Sequence, residues 1–148
     1  MTGFIPQSPD FEDRVHVSFA GQTFMETIGA RITRLEPGIV DLTLEKRADL
    51  CQQHGYIHAG VTTALLDSAA GYAAFSLFKP GEEVLTTEFK VNLLRPAKGA
   101  FLVAEGRVVK PGKTLTVCRS DVYAHQGGED VLVATALLSM IAVKTPAV

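Results

Sequence analysis

The segment from Ala59 to Phe78, AGVTTALLDSAAGYAAFSLF, constrains the fold most, because it carries only one charged residue, Asp67, and no proline. Its apolar residues cover nearly every face of a helix instead of one stripe, which is typical of a helix that protein surrounds on most sides. A carboxylate near its middle would be costly in lipid, so a membrane span is disfavoured. The segment therefore predicts one long buried helix, which Lys79-Pro80-Gly81 ends.

Most of the remaining chain alternates between apolar and polar residues, which is typical of antiparallel strands. Two such runs before the long helix, Ala30 to Leu35 and Ile39 to Leu44, flank Glu36-Pro37-Gly38 and predict a hairpin. A short amphipathic helix is predicted at Asp10 to Ala20. Four runs after the long helix predict a meander, at Glu83 to Leu94, Phe101 to Val109, Thr114 to Ala124 and Val131 to Val143.

Six antiparallel strands and one helix that is apolar all round predict an α+β fold, in which a curved sheet of about five to six strands wraps around the central helix. One helix cannot cover so long a sheet, so sheet edges and apolar surface would stay exposed in a single copy. We therefore expect the chain to pair with a second copy. The length of 148 residues predicts one domain over residues 1–148, with residues 1–10 as a loosely ordered tail.

Charge and cysteine content narrow the classes of function. The net charge is −2 and the basic residues are scattered, so the chain lacks the electrostatic footprint of a nucleic-acid-binding protein. Because no basic segment followed by an apolar core opens the sequence, we expect a cytoplasmic protein without membrane association. Cys51 and Cys118 could pair in principle, but reduced thiols are expected in that compartment.

The loop Gln52 to Gly60, QQHGYIHAG, runs directly into the start of the long helix. The first N–H groups of a helix have no intrahelical partner, and the aligned peptide dipoles add partial positive charge there. A ligand oxygen placed at this point would be stabilised, and the donors would form an oxyanion hole if that oxygen gained charge during a reaction.

Asp67 permits two interpretations. It can lie on a solvent-facing strip, or make a satisfied hydrogen bond to a threonine or tyrosine. Its flanking residues are apolar on every side, however, and aspartate is rarely buried alone, which favours a general base or nucleophile in an apolar cleft. Ala59 and Asp67 are eight residues apart, about 12 Å along a helix axis, so they cannot act on the same carbonyl. If both are catalytic, two antiparallel helices of a dimer must bring them together.

The stretch HGYIHAG, from His54 to Gly60, followed by Asp67, resembles the signature of hotdog-fold acyl-CoA thioesterases, most closely the phenylacetic-acid-degradation (PaaI-like) type. The resemblance covers about Phe11 to Val143. It implies hydrolysis of an acyl-CoA thioester at a site shared by two subunits, in a homodimer and often a homotetramer built as a dimer of dimers.

The resemblance also implies roles for individual residues. The N–H of Ala59 would polarise the thioester carbonyl, His58 would be the motif histidine, and Asp67 would activate water or attack directly. Gln52 stands where the family often has asparagine, and Thr86 or Thr87 would help to place the water. Ala59 and Gln52 depart from the family pattern, which usually has glycine and asparagine at these positions.

Substrate-binding residues are expected around these groups. The amide of Gly60 would assist that of Ala59, and Tyr56 would line the acyl pocket or pack the loop. Arg95 and Lys98 would contact the phosphates of coenzyme A or would simply be solvated. The spacing of Cys51, His54 and His58 suggests a metal, but a closed zinc site would need further ligands, so no metal and no other cofactor is expected.

The sequence thus predicts hydrolysis of an aryl or medium-chain acyl-CoA to the free acid and coenzyme A. A non-catalytic acyl-CoA-binding module is the main alternative. An acyl-CoA hydratase or dehydratase is less favoured, because such enzymes usually pair an aspartate with a histidine a few residues later, and the next histidine after Asp67 is His125.

Overall fold

The computed structural model describes residues 3–145, which form three α-helices, one short 3-10 helix and six strands. All six strands were predicted to within two residues at each end, whereas the second helix was not predicted. The elements are α1 (Phe11–Gly21), α2 (Thr23–Ile28), β1 (Ala30–Glu36), β2 (Ile39–Glu45), the 3-10 helix Ala48–Leu50, α3 (Ala59–Phe75), β3 (Glu82–Leu93), β4 (Phe101–Lys110), β5 (Leu115–Gln126) and β6 (Glu129–Lys144).

The strands form one antiparallel sheet in the order β1-β2-β4-β5-β6-β3. The predicted four-strand meander is therefore wrong for β3, which pairs with β6 at the sheet edge and not with β4. The connection between β3 and β4, residues 94–100, contains Pro96 and is too long for a tight hairpin. This connection passes the loop that precedes α3, where Ile57 N–H donates to Ala97 O over 3.1 Å. Strand β4 then lies on the side of β5 that faces away from β6, next to β2.

Helix α3 packs against one face of this sheet and contacts all six strands, as the all-round apolar sequence predicts. The two backbones touch at Gly106 of β4, where an added Cβ would lie only 2.2 Å from Ala69 O. The helix ends at Phe75, three residues before the predicted end at Phe78. Ser76 accounts for this, because its Oγ donates to Ala73 O over 2.7 Å and accepts the Gly38 N–H over 2.8 Å, which ties the β1–β2 turn to the helix end.

The N-terminal segment packs on this body instead of forming a loose tail. Gln7 donates from Nε2 to Leu77 O over 3.1 Å, and Ser8 is fully buried. Arg14 of α1 donates to Phe78 O and Glu82 O over 3.1 and 2.9 Å, and its guanidinium lies 4.8 Å from the centre of the Phe75 ring. These contacts fix α1 beside the second half of α3. Residues 1 and 2 lie outside the described part of the chain.

The edge strand β3 leaves apolar side chains uncovered. Phe89 and Leu93 pair with Leu138 and Ala134, which are buried, so all four side chains point to the helix side of the sheet. Phe89 and Leu93 nevertheless remain 48% and 56% exposed, although α3 contacts β3 elsewhere along the strand, at Thr86. A single copy of the chain therefore exposes an apolar strip beside its central helix.

Candidate active site

The loop before α3 is held in one shape by its own backbone. Gln52 N–H donates to Tyr56 O, and Gly55 N–H donates back to Gln52 O, each over 2.9 Å. Gly55 has a φ of +78°, a conformation that glycine adopts without the cost other residues bear. The side-chain oxygen of Gln52 accepts a hydrogen bond from His54 N–H. Gln52 therefore orders the loop.

His58 is the N-cap of α3. Its Nδ1 accepts the Gly60 N–H over 2.8 Å, and its carbonyl accepts the Val61 N–H over 2.9 Å. The Ala59 N–H has no hydrogen-bond partner within residues 3–145. His58 thus fixes the helix start and occupies the amide of Gly60, while the amide of Ala59 stays available to a ligand oxygen.

A cavity of about 470 Å³ opens at this amide. Its walls are mainly apolar, with polar groups from Gln52 and Arg95, and Leu93 of the edge strand forms part of its border. Arg95 is anchored, since Nη1 donates to Leu132 O over 2.9 Å. Lys98 lies over the Tyr56 ring at 5.1 Å from its centre. The complete lining is Gln52, Tyr56, Ile57, Ala59, Thr62, Leu93, Leu94, Arg95, Pro96, Ala97 and Val133.

Asp67 lies two turns along α3 and is half-buried. Its Oδ1 accepts a hydrogen bond of 2.7 Å from Thr86 Oγ1 on β3, so this threonine is well placed to orient the carboxylate. Thr86 Oγ1 also lies 3.2 Å from the sulfur of Met140. Thr87 donates to Ser139 O over 3.1 Å and lines neither cavity, which distinguishes the two candidate threonines.

A second cavity, of about 350 Å³, adjoins Asp67 and Thr86. It shares no lining residue with the cavity at Ala59. Within one chain, the free amide and the carboxylate therefore open into separate spaces, about 12 Å apart along α3. The sequence had predicted this separation from the helical spacing alone.

Two residues from the N-terminal part of the chain line the Asp67 cavity and were not predicted from the sequence. Ser18 lies in α1, and Gln22 lies between α1 and α2. The amphipathic pattern of α1 predicted a helix but gave no indication of where it packs. Their position became apparent only from the contacts of α1 with the end of α3.

The cysteines lie apart from this chemistry. Cys51 and Cys118 are both free thiols, and Cys51 Sγ donates to Arg47 O over 3.2 Å. Burial raises the pKa of the Cys118 thiol to about 12, so it stays protonated at neutral pH. Within residues 3–145, no group of three or more metal-ligating His, Cys, Asp or Glu side chains is gathered.

The sequence from residue 54 to residue 131 matches the model of the thioesterase superfamily, which is more than half of the chain. The chain belongs to the thioesterase superfamily. A crystal structure of a thioesterase family protein from Silicibacter pomeroyi is 47% identical and superposes with a TM-score of 0.90, covering 91% of this chain and 99% of that one. The predicted hotdog fold and PaaI-like type are confirmed, and this thioesterase is a thioester hydrolase.

Two further relatives extend the comparison. The 1,4-dihydroxy-2-naphthoyl-CoA hydrolase of Listeria monocytogenes is 32% identical over 92 residues, which is 62% of this thioesterase and 75% of the relative. The PaaI protein of the E. coli phenylacetic acid degradation operon has the same fold, with a TM-score of 0.82 at 21% identity, covering 93% of this thioesterase and 96% of PaaI. Among the described residues, no helix is long and apolar enough to cross a membrane.

Proposed function

We propose that this thioesterase hydrolyses acyl-CoA thioesters at a site that two copies of the chain build together. The carbonyl of the thioester accepts the Ala59 N–H of one copy, and Asp67 of the other copy activates the attacking water. The observation that carries the proposal is the separation of the free amide from the carboxylate, which open into different cavities of the same chain.

The edge strand β3 supports this assembly, because it borders both cavities. Leu93 lines the cavity at Ala59, and Thr86 lines the cavity at Asp67. If two copies pair their β3 strands antiparallel about a two-fold axis at Phe89, Phe89 stands opposite its own symmetry mate, and Leu93 of each copy stands opposite Leu85 of the other, which lines the Asp67 cavity next to Thr86. This pairing would cover the exposed Phe89 and join the two cavities across the interface. The dimer is the unit that this chemistry requires, and the predicted pairing of dimers into a tetramer is not needed for it.

The chemistry follows from these positions. The Ala59 N–H and the helix dipole stabilise negative charge on the carbonyl oxygen as water attacks the carbonyl carbon. Asp67 accepts the proton of that water, because Thr86 occupies Oδ1 and leaves Oδ2 for the water. The tetrahedral intermediate then expels the coenzyme A sulfur, which receives the proton. Direct attack by Asp67 would instead form an anhydride, and hydrolysis of that anhydride at the Asp67 carbonyl in ¹⁸O-labelled water would place label in the Asp67 carboxylate.

The choice of coenzyme A as the thiol is supported by the cations beside the Ala59 cavity. Arg95 lines its wall and Lys98 stacks on Tyr56, another wall residue, so both can meet phosphate groups at the rim. The Listeria relative is itself named as a CoA hydrolase. Aryl and medium-chain acyl groups are the candidate substrates.

The first test is thiol release from a panel of aryl and straight-chain acyl-CoAs. Wild-type protein should release coenzyme A, and Asp67→Asn should be slower by about a hundredfold or more. Asp49→Asn, which changes an exposed carboxylate away from both cavities, is the matched control and should retain activity. Equal rates for wild type and Asp67→Asn would refute the mechanism. Tight binding without release by the wild type would favour the acyl-CoA-binding module.

A mixing experiment tests the shared site. Ala59→Pro removes the free N–H at the first helical position, where proline fits, and the extended backbone of His58 suits a following proline. Ala59→Pro and Asp67→Asn should each be inactive alone. Co-expressed, they form mixed dimers in which one site carries both lesions and the other carries none, so about a quarter of wild-type activity should return. No recovery in isolated mixed dimers would contradict a site between subunits.

A further inference from the structure

A further cavity, of about 350 Å³, lies beyond the end of α3, between the turn that leads into β3 and the turn between β4 and β5. We call it the lysine cavity, because the exposed residues Lys79 and Lys113 line it. It shares no lining residue with the cavities at Ala59 and Asp67, and the hydrolytic mechanism uses none of its residues. The complete lining is Gln7, Phe78, Lys79, Glu82, Pro111, Gly112, Lys113 and Ala142.

The lysine cavity carries positive charge. Neither Lys79 nor Lys113 forms an ion pair within residues 3–145. Glu82 is the one carboxylate among the described lining residues, and its Oε2 already accepts the backbone N–H of Lys79 over 3.0 Å. Lys144 of β6 stands opposite Glu82 in the sheet, so a third ammonium group offsets this carboxylate. Two unpaired ammonium groups beside an open cavity are suited to bind phosphate groups.

The proposed dimer places the lysine cavity of one copy next to the Ala59 cavity of the other. Because antiparallel partners run in opposite directions, a register with Leu93 opposite Leu85 brings Pro96 of one copy, three residues further on, to the level of Glu82 of the other. Pro96 lines the Ala59 cavity, and Glu82 lines the lysine cavity. The two cavities therefore meet across the subunit interface.

We propose that the lysine cavity of one copy binds the phosphate groups at the nucleotide end of coenzyme A, while the thioester of the same molecule lies at the Ala59 amide of the other copy. The inference rests on the proposed function, since it takes that amide as the thioester site. It makes coenzyme A the thiol carrier that the enzyme selects. A pantetheine thioester without the nucleotide would leave the lysine cavity empty.

The dimensions agree with this placement. Glu82 lies four residues before Thr86, the hydrogen-bond partner of Asp67, which is about 13 Å along β3 at about 3.3 Å per residue. The extended pantetheine arm of coenzyme A can bridge a distance of this order between the thioester sulfur and the diphosphate. A concave site suits a nucleotide phosphate better than the convex surface of a carrier protein, which favours the small molecule as the occupant.

The test measures hydrolysis of hexanoyl-CoA and of S-hexanoyl-pantetheine. Wild type is compared with the double variant Lys79→Gln/Lys113→Gln and with the control Lys110→Gln, whose exposed lysine ends β4 outside the three cavities. In wild type, kcat/KM should be about tenfold or more higher for hexanoyl-CoA. The double variant should raise KM for hexanoyl-CoA about tenfold, with little change in kcat or in the pantetheine thioester, because it removes binding that ground state and transition state share.

Three outcomes of these kinetics would overturn the inference. They are equal kcat/KM for the two thioesters in wild type, an unchanged KM for hexanoyl-CoA in the double variant, and a loss in Lys110→Gln as large as that in the double variant, which would indicate long-range attraction instead of a site. Faster hydrolysis of a hexanoyl-acyl-carrier protein than of hexanoyl-CoA, with the same dependence on Lys79 and Lys113, would also overturn it and assign the cavity to a docked protein.

Binding of adenosine 3′,5′-bisphosphate separates this inference from the proposed function, because that probe carries neither the thiol nor the acyl group. Calorimetry should show binding to wild type and to Lys110→Gln, and binding weaker by about tenfold or more to the double variant. Such binding without hydrolysis of any thioester by wild type would support the nucleotide site and refute the hydrolase mechanism. Hydrolysis by wild type without such binding would overturn the nucleotide site and leave the hydrolase mechanism standing.

Discussion

Thr86 of the edge strand donates a hydrogen bond to Asp67 of the central helix, with 2.7 Å between Oγ1 and Oδ1. The bond joins the element that forms the sheet edge to the element that carries the carboxylate. Any second copy that covers this edge must therefore pack beside the carboxylate. Position in the sheet, and not proximity in sequence, makes Thr86 a partner of Asp67.

Replacing Thr86 with valine should lower kcat about tenfold, equivalent to about 1.4 kcal/mol, because valine keeps the shape of threonine but cannot orient the carboxylate. KM should change little, and Thr86→Ser should retain most of the activity. Thr87→Val is the matched control, since Thr87 bonds Ser139 O and lines neither cavity. Steady-state kinetics on one acyl-CoA checks this, and a Thr87→Val defect as large as that of Thr86→Val would argue against the assigned role.

The local features of this fold could be predicted from the sequence. The all-round apolar helix, the alternation of the strands and the spacing of Ala59 and Asp67 are local properties, and the structure bears out the strand positions and the buried helix. The predicted meander, in which β3 pairs with β4, was wrong because strand order depends on contacts far apart in sequence. The positions of Ser18 and Gln22 in the wall of the Asp67 cavity were not predicted for the same reason, since they follow from the packing of α1, which Arg14 holds against residues 78 and 82.

A charge on the exposed strip of β3 should prevent pairing of copies. Phe89→Lys puts an ammonium group at the centre of the proposed interface, opposite its own symmetry mate, so the dimer should dissociate and activity should fall with it. Leu137→Lys is the control, because Leu137 is similarly exposed, at 57%, but pairs with Lys90 on the outer face of the sheet. Sedimentation velocity gives the mass of each variant, and an active monomer of Phe89→Lys would contradict a site between subunits.

Gly106→Ala should destabilise the fold by about 3 kcal/mol, because the added methyl would meet backbone atoms of α3 that cannot move aside singly. Gly21→Ala is the control: its Cβ meets nothing within 4 Å, and alanine is the better helix former, so its stability should be equal or slightly higher. Urea unfolding of both variants measures the difference. A Gly106→Ala protein as stable as wild type would contradict the close backbone contact between α3 and β4 at this glycine.

Raising the pH above the ordinary pKa of a thiol should lower the free energy of unfolding, because Cys118 ionises more readily in the unfolded chain than in the folded one. Its pKa is about 12 in the folded chain because the side chain is fully buried, whereas the unfolded chain releases this proton near pH 9. Between these values the folded state binds more protons than the unfolded state, so the free energy of unfolding decreases as the pH rises. Tyr72 and Tyr123, whose pKa values are also raised by burial, contribute in the same direction.

Cys118→Ala should therefore be less stable than wild type at neutral pH, but its free energy of unfolding should decline less steeply between about pH 8 and about pH 10.5. Urea midpoints of the two proteins across this range measure the slopes, and parallel slopes would show that the thiol ionises equally in both states.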